Sequence, residues 1–313
     1  MSLLKPRAVA PDARLSVIAP ASFAQPDRVR GGVEALRMLG YVPVLSQNSR
    51  ERGPLFFAGT REQRQADLHT SFSDPDTTAV MAVRGGYGSN YLLEGLDRTL
   101  IQKHPKPFFA YSDLTGIQLY LLDHIGLPVF HGPMLAADFY LKDGIHFESF
   151  RAALAGEPYS VGVGEGLRVL KAATTQRAVK GTLYGGCLSI LVSLLGTPWE
   201  PETEGTLLFM EDVGAKPYQI DRMLWQLRVA GKFDGVRGII FGEMLDCSSP
   251  GAAPDLLENT ILNALDGFDG PVAIGLRSGH VSHQNVTLTF GTETELAFDD
   301  GPRLNLLEPA VTK

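Results

Sequence analysis

The chain has 313 residues, 44% of them hydrophobic and 20% charged, which is ordinary globular composition and long enough for two domains that bury their own cores. The formal charge of -7 and the lack of a basic patch argue against nucleic acid as a partner. Two cysteines, Cys187 and Cys247, make no disulfide framework and fit a reducing compartment.

The start, Met1 to Arg7, is broken by Lys5, Pro6 and Arg7 and lacks the apolar stretch of a signal peptide. No window approaches the ~18 apolar residues of a membrane span. The expectation is a cytoplasmic protein with no membrane partner.

In chain order, Leu15 to Pro20 reads as a buried parallel strand, and Asp27 to Leu39 as a helix with Val29, Val33, Leu36 and Leu39 on one face. Tyr41 to Leu45 is a second strand, and Pro43 predicts an edge position because it cannot donate to a ladder. Arg61 to Phe72 is helical, and Ala79 to Val83 is a strand ending in Gly85-Gly86-Tyr87-Gly88. A short helix spans Tyr91 to Leu96. Pro107 to Tyr111 is a strand ending at Ser112-Asp113, Leu114 to Leu122 is helical, and Val129-Phe130 runs into His131-Gly132-Pro133. Strands alternating with helices predict a parallel sheet, whose ligands bind beyond the carboxyl ends of the strands. Pro20-Ala21-Ser22, Gly85 to Gly88 and Ser112-Asp113 all fall there.

After about residue 155 the pattern changes. Strands and turns are expected at 169–170 and 179–186, and strands at 206–210, 236–242, 271–274, 285–290 and 294–298, with helices at 188–195 and 217–231. The predicted domains are 1–155, α/β, and 178–313, a β-rich α+β domain, joined by a linker at 156–177.

Four features carry chemistry. Ser112, between strand and helix, is a candidate nucleophile, and the segment by itself favours the plainer role of a helix N-cap. The glycines at 85, 86 and 88 let backbone N–H groups approach a ligand, as half of an oxyanion hole or an anion cradle, or simply make a tight turn. They form neither a dinucleotide fingerprint nor a P-loop. His280 in Gly279-His280-Val281-Ser282-His283 suits a general base; with His283 it could instead ligate zinc, although no third ligand stands at a standard spacing, and both read equally simply as ordinary surface or loop histidines. Glu211-Asp212, at a strand end, could orient that histidine or cap the next helix. Lys216, Tyr218, Asp221 and Arg222 nearby either position Glu211 or lie on the helix surface.

Taken in order, Val17 to Ser22, Arg84 to Gly88, Tyr111 to Thr115, His131 to Pro133, Gly185 to Ser189, Phe209 to Asp212 and Gly279-His280 resemble the LD-carboxypeptidase family, serine peptidase family S66. The resemblance runs nearly end to end, and departs from the family pattern at Cys187, where Asn is usual. It implies a doubly wound, flavodoxin- or glutamine-amidotransferase-like first domain and a Ser112-Glu211-His280 triad lying in an interdomain cleft. It also implies an oxyanion hole from the backbone of Gly86 and Asp113, with substrate contacts at Gly85 and Tyr87. His131, at a strand end near the same rim, is a candidate substrate contact or, at least as readily, a packed or turn histidine. No cofactor or metal is implied, and a homodimer is. The expected activity is release of terminal D-alanine from murein tetrapeptides in cell-wall recycling. The alternative is hydrolysis of a microcin C-type peptide-nucleotide, which fits less well because the stretch from Gly186 to Glu211 is short and offers only Trp199 for stacking. A non-catalytic binding protein on the same scaffold is the third reading.

Overall fold

The computed structural model describes residues 3–172, 177–251 and 253–313. They form two compact units: residues 1–157, 283–291 and 309–313 in one, and 158–282 and 292–308 in the other. The strands β1 (Arg14–Ile18), β2 (Val42–Leu45), β3 (Ala79–Ala82), β4 (Phe108–Ala110) and β5 (Val129–His131) belong to the first unit. The second unit holds β6 (Tyr159–Gly162), β7 (Arg168–Lys171), β8 (Ala178–Cys187), β9 (Thr206–Glu211), β10 (Gly238–Gly242) and β11 (Val272–Leu276). Strand β12 (Leu288–Phe290) returns to the first, while β13 (Glu293–Ala297) and β14 (Arg303–Leu306) complete the second.

In the first unit the sheet order is β12-β5-β4-β3-β1-β2, with β1 to β5 parallel and β12 antiparallel on β5. The parallel part has the 2-1-3-4-5 order of doubly wound folds. Strands β3, β4 and β5 are buried at every residue, in keeping with sequences that are apolar throughout except for His131 at the end of β5. Pro43 lies in β2 at the sheet edge, as its missing N–H predicts. The helices are α1 (Pro26–Met38), α2 (Arg61–Ser73), α3 (Arg98–Lys103), α4 (Thr115–Tyr120) and α5 (Phe147–Ala155). α2 starts from a capping box in which Gln63 N–H donates to Thr60 Oγ1 and Thr60 N–H donates to Gln63 Oε1. The chain order reverses on either side of β1, so the ends of β1 and β3 face a topological switch point.

The second sheet has the order β6-β14-β13-β8-β9-β10-β11-β7. Its four central strands, β8 to β11, are parallel and joined by α6 (Leu188–Ser193), α7 (Pro217–Val229) and α8 (Leu256–Ala264). The outer pairings are antiparallel. This unit is therefore a mixed sheet with an α/β centre. Among the described residues no helix is long and apolar enough to cross a membrane.

Two expectations about domain limits are corrected. The stretch 156–177 is not a linker: it supplies β6 and β7, with Val161 and Leu167 buried in the second unit, and only 173–176 lie outside the described residues. Strand β12 was expected in the second domain. It instead covers the β5 edge of the first sheet, where Val286, Leu288 and Phe290 are buried. An open apolar edge beside β5 would leave its backbone groups unpaired, and this returning segment pairs them. The C-terminus returns as well, with Thr312 bridged to Arg7.

Candidate active site

In the first unit, Ser112 sits immediately after β4. Tyr111 is extended, Ser112 adopts φ +66°, and a 3₁₀ turn over Ser112–Leu114 leads into α4. A left-handed conformation at a serine costs about 1–2 kcal/mol, and such strain is characteristic of a nucleophile elbow. Ser112 is half-buried.

Gly85 lies directly against it. A Cβ there would stand 2.8 Å from Ser112 Cβ, 2.9 Å from Oγ and 3.3 Å from the Asp113 nitrogen. The absent side chain lets the Gly85 backbone lie close to the hydroxyl and to that nitrogen. Gly86 is left-handed at φ +110°, and a Cβ on it would meet Ser22 Oγ at 2.5 Å. Ser22 Oγ accepts from Tyr87 N–H at 3.1 Å, and Ser22 N–H donates to the Gly85 carbonyl at 3.4 Å. The three strand ends singled out in the sequence are thus brought together.

Two polar links fix this arrangement. Asp113 Oδ2 accepts from Ser89 N–H at 2.9 Å, and Ser89 Oγ donates to the Asp113 carbonyl at 2.6 Å. Burial raises the Asp113 carboxyl above the usual range, opposed by the Ser89 hydrogen bonds and by Arg64. Arg64 itself is 2% exposed and donates to the carbonyls of Pro20 (2.6 Å) and Gly88 (2.7 Å), stapling the exit of β1 to the glycine turn. The sequence reading passed over Arg64. The detectable signal was its place on the buried stripe of α2 with Leu68 and Phe72, where an arginine is out of character.

His131, expected as a substrate contact, is fully buried, its ring 5.1 Å from Phe290 and 5.9 Å from Tyr111. Its setting is ring packing at the end of β5. Tyr87 is exposed beside the glycine turn.

In the second unit, Glu211 ends β9 and is fully buried. Its Oε2 accepts the backbone N–H of His280 at 3.0 Å and lies 2.7 Å from His280 Nδ1. Glycines make the room: a Cβ at Gly242 would fall 2.7 Å from Glu211 Cβ, and one at Gly279, left-handed at φ +91°, 2.6 Å from Glu211 Cδ. With a carboxylate on Nδ1, the imidazole presents Nε2 as its basic atom.

Cys187 stands opposite Glu211 in the parallel register of β8 and β9. Its Sγ is 3.3 Å from Ser189 Oγ and 3.9 Å from Asp212 Oδ2. Burial, reinforced by Glu211 and Asp212, raises its thiol well above the ordinary value. Asp212 accepts from the N–H groups of Ser189 and Val213, which anchors the start of α6. Lys216 Nζ donates to the Ser248 carbonyl, and Tyr218 is exposed on α7. Among the described residues no three His, Cys, Asp or Glu side chains gather as a metal-holding group.

The family model for the LD-carboxypeptidase N-terminal domain matches residues 15–132, and that for the C-terminal domain matches 180–296. A probable murein peptide carboxypeptidase of Bacillus subtilis is 36% identical over 89% of this chain and 87% of its own. The chain belongs to the LD-carboxypeptidase family. Another member, the murein tetrapeptide carboxypeptidase of Pseudomonas aeruginosa, is 32% identical over 94% of this chain and 95% of its own. The structure of the microcin C7 self-immunity protein MccF superimposes with a TM-score of 0.89 at 25% identity, covering 99% of this chain and all of that one. The LD-carboxypeptidase fold, a mainly parallel first sheet and a mixed second sheet, is thus the fold of this chain.

Proposed function

We propose that this LD-carboxypeptidase family member is a serine carboxypeptidase with Ser112 as nucleophile, His280 as general base and Glu211 as its orienting acid. The observation that carries the reading is the Glu211–His280 pair: a buried carboxylate engages both Nδ1 and the backbone N–H of one histidine. That holds the ring in one tautomer and steadies the imidazolium that forms during proton transfer.

Ser112 Oγ attacks the carbonyl carbon of the scissile bond and its proton passes to His280 Nε2. The tetrahedral oxyanion is received by the backbone N–H groups of Gly86 and Asp113. The C–N bond then breaks as His280 returns the proton to the leaving amine. Water, deprotonated by His280, hydrolyses the acyl-enzyme and restores Ser112.

The substrate proposed is a murein tetrapeptide, cut at its L,D bond to free D-alanine, in keeping with the names of the two carboxypeptidase relatives. Likeness to MccF favours a second reading, a peptide-nucleotide substrate. The shortness of the segment between Gly186 and Glu211 weighs against it. Homodimerisation in the cytoplasm belongs to the same proposal, and light scattering tests the dimer.

The deciding experiment incubates the protein with murein tetrapeptide and, separately, with a peptide adenylate, following products by mass spectrometry. D-Alanine release that vanishes in Ser112→Ala is the expected result. Cleavage of the adenylate alone overturns the substrate, and binding without turnover by either overturns the activity.

A further inference from the structure

A cavity of about 370 Å³ opens between α1 and the end of β2. That volume falls within the roughly 300–1,000 Å³ of small-molecule sites. It lies at the outer edge of the first sheet, where β2 is the last strand. Three strand spacings, roughly 14 Å, separate β2 from β4 and so from the corner that carries Ser112.

The helix supplies most of the wall, because residues three and four apart share one face. Val29 and Val33 stand on that face, and Leu45 of β2 meets them. Val29 is buried, Val33 and Leu45 half-buried, so the floor is apolar. The rim is different. Arg30 and Arg37 come from the same helix face, and Arg50 from the 3₁₀ turn Asn48–Arg50 that follows β2. All three are exposed.

The charge of this rim runs against that of the chain. The protein carries a formal charge of -7, yet here three arginines stand beside one carboxylate, Glu34. Arg30 is paired with Asp27. Among the described residues Arg37 and Arg50 make no ion pair, so two guanidinium forks remain for a ligand.

Two such forks over an apolar floor select the occupant. A phosphate monoester carries nearly two negative charges at neutral pH and three acceptor oxygens, enough to engage both forks together. A carboxylate brings one charge and two oxygens, which a single arginine already satisfies. An inorganic anion would leave the valines and Leu45 uncovered, and a wholly apolar molecule would leave both arginines unanswered.

We propose that this cavity is a binding site for a small organic phosphate, with its phosphate on Arg37 and Arg50 and its ring or chain on Val29, Val33 and Leu45. Such a site stands apart from the chemistry proposed at Ser112 and does not depend on it.

Isothermal titration calorimetry with phenyl phosphate tests this, beside inorganic phosphate, benzoate and phenol. Phenyl phosphate should bind one to one and at least about tenfold more tightly than each of the other three. Arg37→Ala and Arg50→Ala should each weaken it about tenfold, and Arg37→Lys, which keeps the charge but not the fork, by less. Val33→Ser should bring phenyl phosphate to within about threefold of inorganic phosphate. Arg303→Ala, an exposed arginine on β14, should leave binding as in wild type. Because Arg37 and Arg50 are exposed, a loss of binding in their variants reads the site rather than the fold. Absence of saturable binding overturns the site, as does an affinity that neither arginine variant moves. Inorganic phosphate binding as tightly as phenyl phosphate reduces the cavity to a plain anion contact, and benzoate binding as tightly assigns it to carboxylates; either result overturns the proposal.

Discussion

His280 engages a single oxygen of Glu211 twice, through Nδ1 at 2.7 Å and through its backbone N–H at 3.0 Å. The second contact fixes the main chain beside the carboxylate, so the ring is held from a backbone that is itself anchored to the same oxygen. Because Glu211 is fully buried, its charge acts through protein rather than water.

Glu211→Gln keeps the size of the side chain and one acceptor but removes the charge that balances an imidazolium. In the proposed mechanism kcat for D-alanine release should fall by about 10³–10⁴-fold, with KM little changed. Steady-state kinetics checks this.

Gly85→Ala should separate activity from folding. The φ of Gly85 is not left-handed, so the backbone accepts alanine, but the new methyl would press on Ser112 at 2.8–2.9 Å. The expected outcome is a loss of about 10²-fold or more in kcat, with a stability cost of about 1–3 kcal/mol. Urea denaturation beside kinetics reads both.

Ser112→Gly and Ser112→Ala should both lack turnover, yet differ in stability. Alanine keeps the strain of φ +66°, while glycine adopts that conformation freely. The glycine variant should be the more stable by about 1 kcal/mol, less the greater chain entropy of glycine in the unfolded state. Equal denaturation midpoints would argue that the turn is unstrained.

Cys247 gives a pH-dependent prediction. Burial pushes its thiol up to about 11, whereas an unfolded thiol titrates near 8.5. The folded value is raised, so the contribution is present in full below about pH 8.5 and is lost as pH rises toward 11. Wild type should lose on the order of 2–3 kcal/mol more than Cys247→Ala across that window. Buried Cys187 is raised in the same direction, and native protein should resist alkylation at neutral pH until unfolded. Denaturant midpoints from pH 8 to 11, with a thiol-labelling time course, check both statements.

Much of the first sheet was legible because its cues are local. Short apolar strands, the proline in β2 and the glycines after β3 all report on their own neighbourhoods. The limits of the units were not. Residues 283–291 resemble any amphiphilic strand, and nothing nearby says that they cover the edge of β5 rather than join β13. His131 shows the limit of a local cue: a histidine at a strand end reads as a contact residue or as a packed one, and only the tertiary structure shows its ring against Phe290. Arg64 was missed because an arginine in a helix is ordinarily surface, and only the carbonyls of Pro20 and Gly88 explain its burial.

The sequence by itself determined the strands of the first sheet, the glycine turn and the position of Ser112 at a strand-to-helix corner, since strand period and turn chemistry act over a few residues. It also carried the family resemblance. The tertiary structure alone decided that Ser112 is left-handed against the bare face of Gly85, and that one oxygen of Glu211 holds His280, 69 residues further on. Those contacts depend on backbone angles and on chain segments meeting through the sheets, neither of which a local pattern of side chains records.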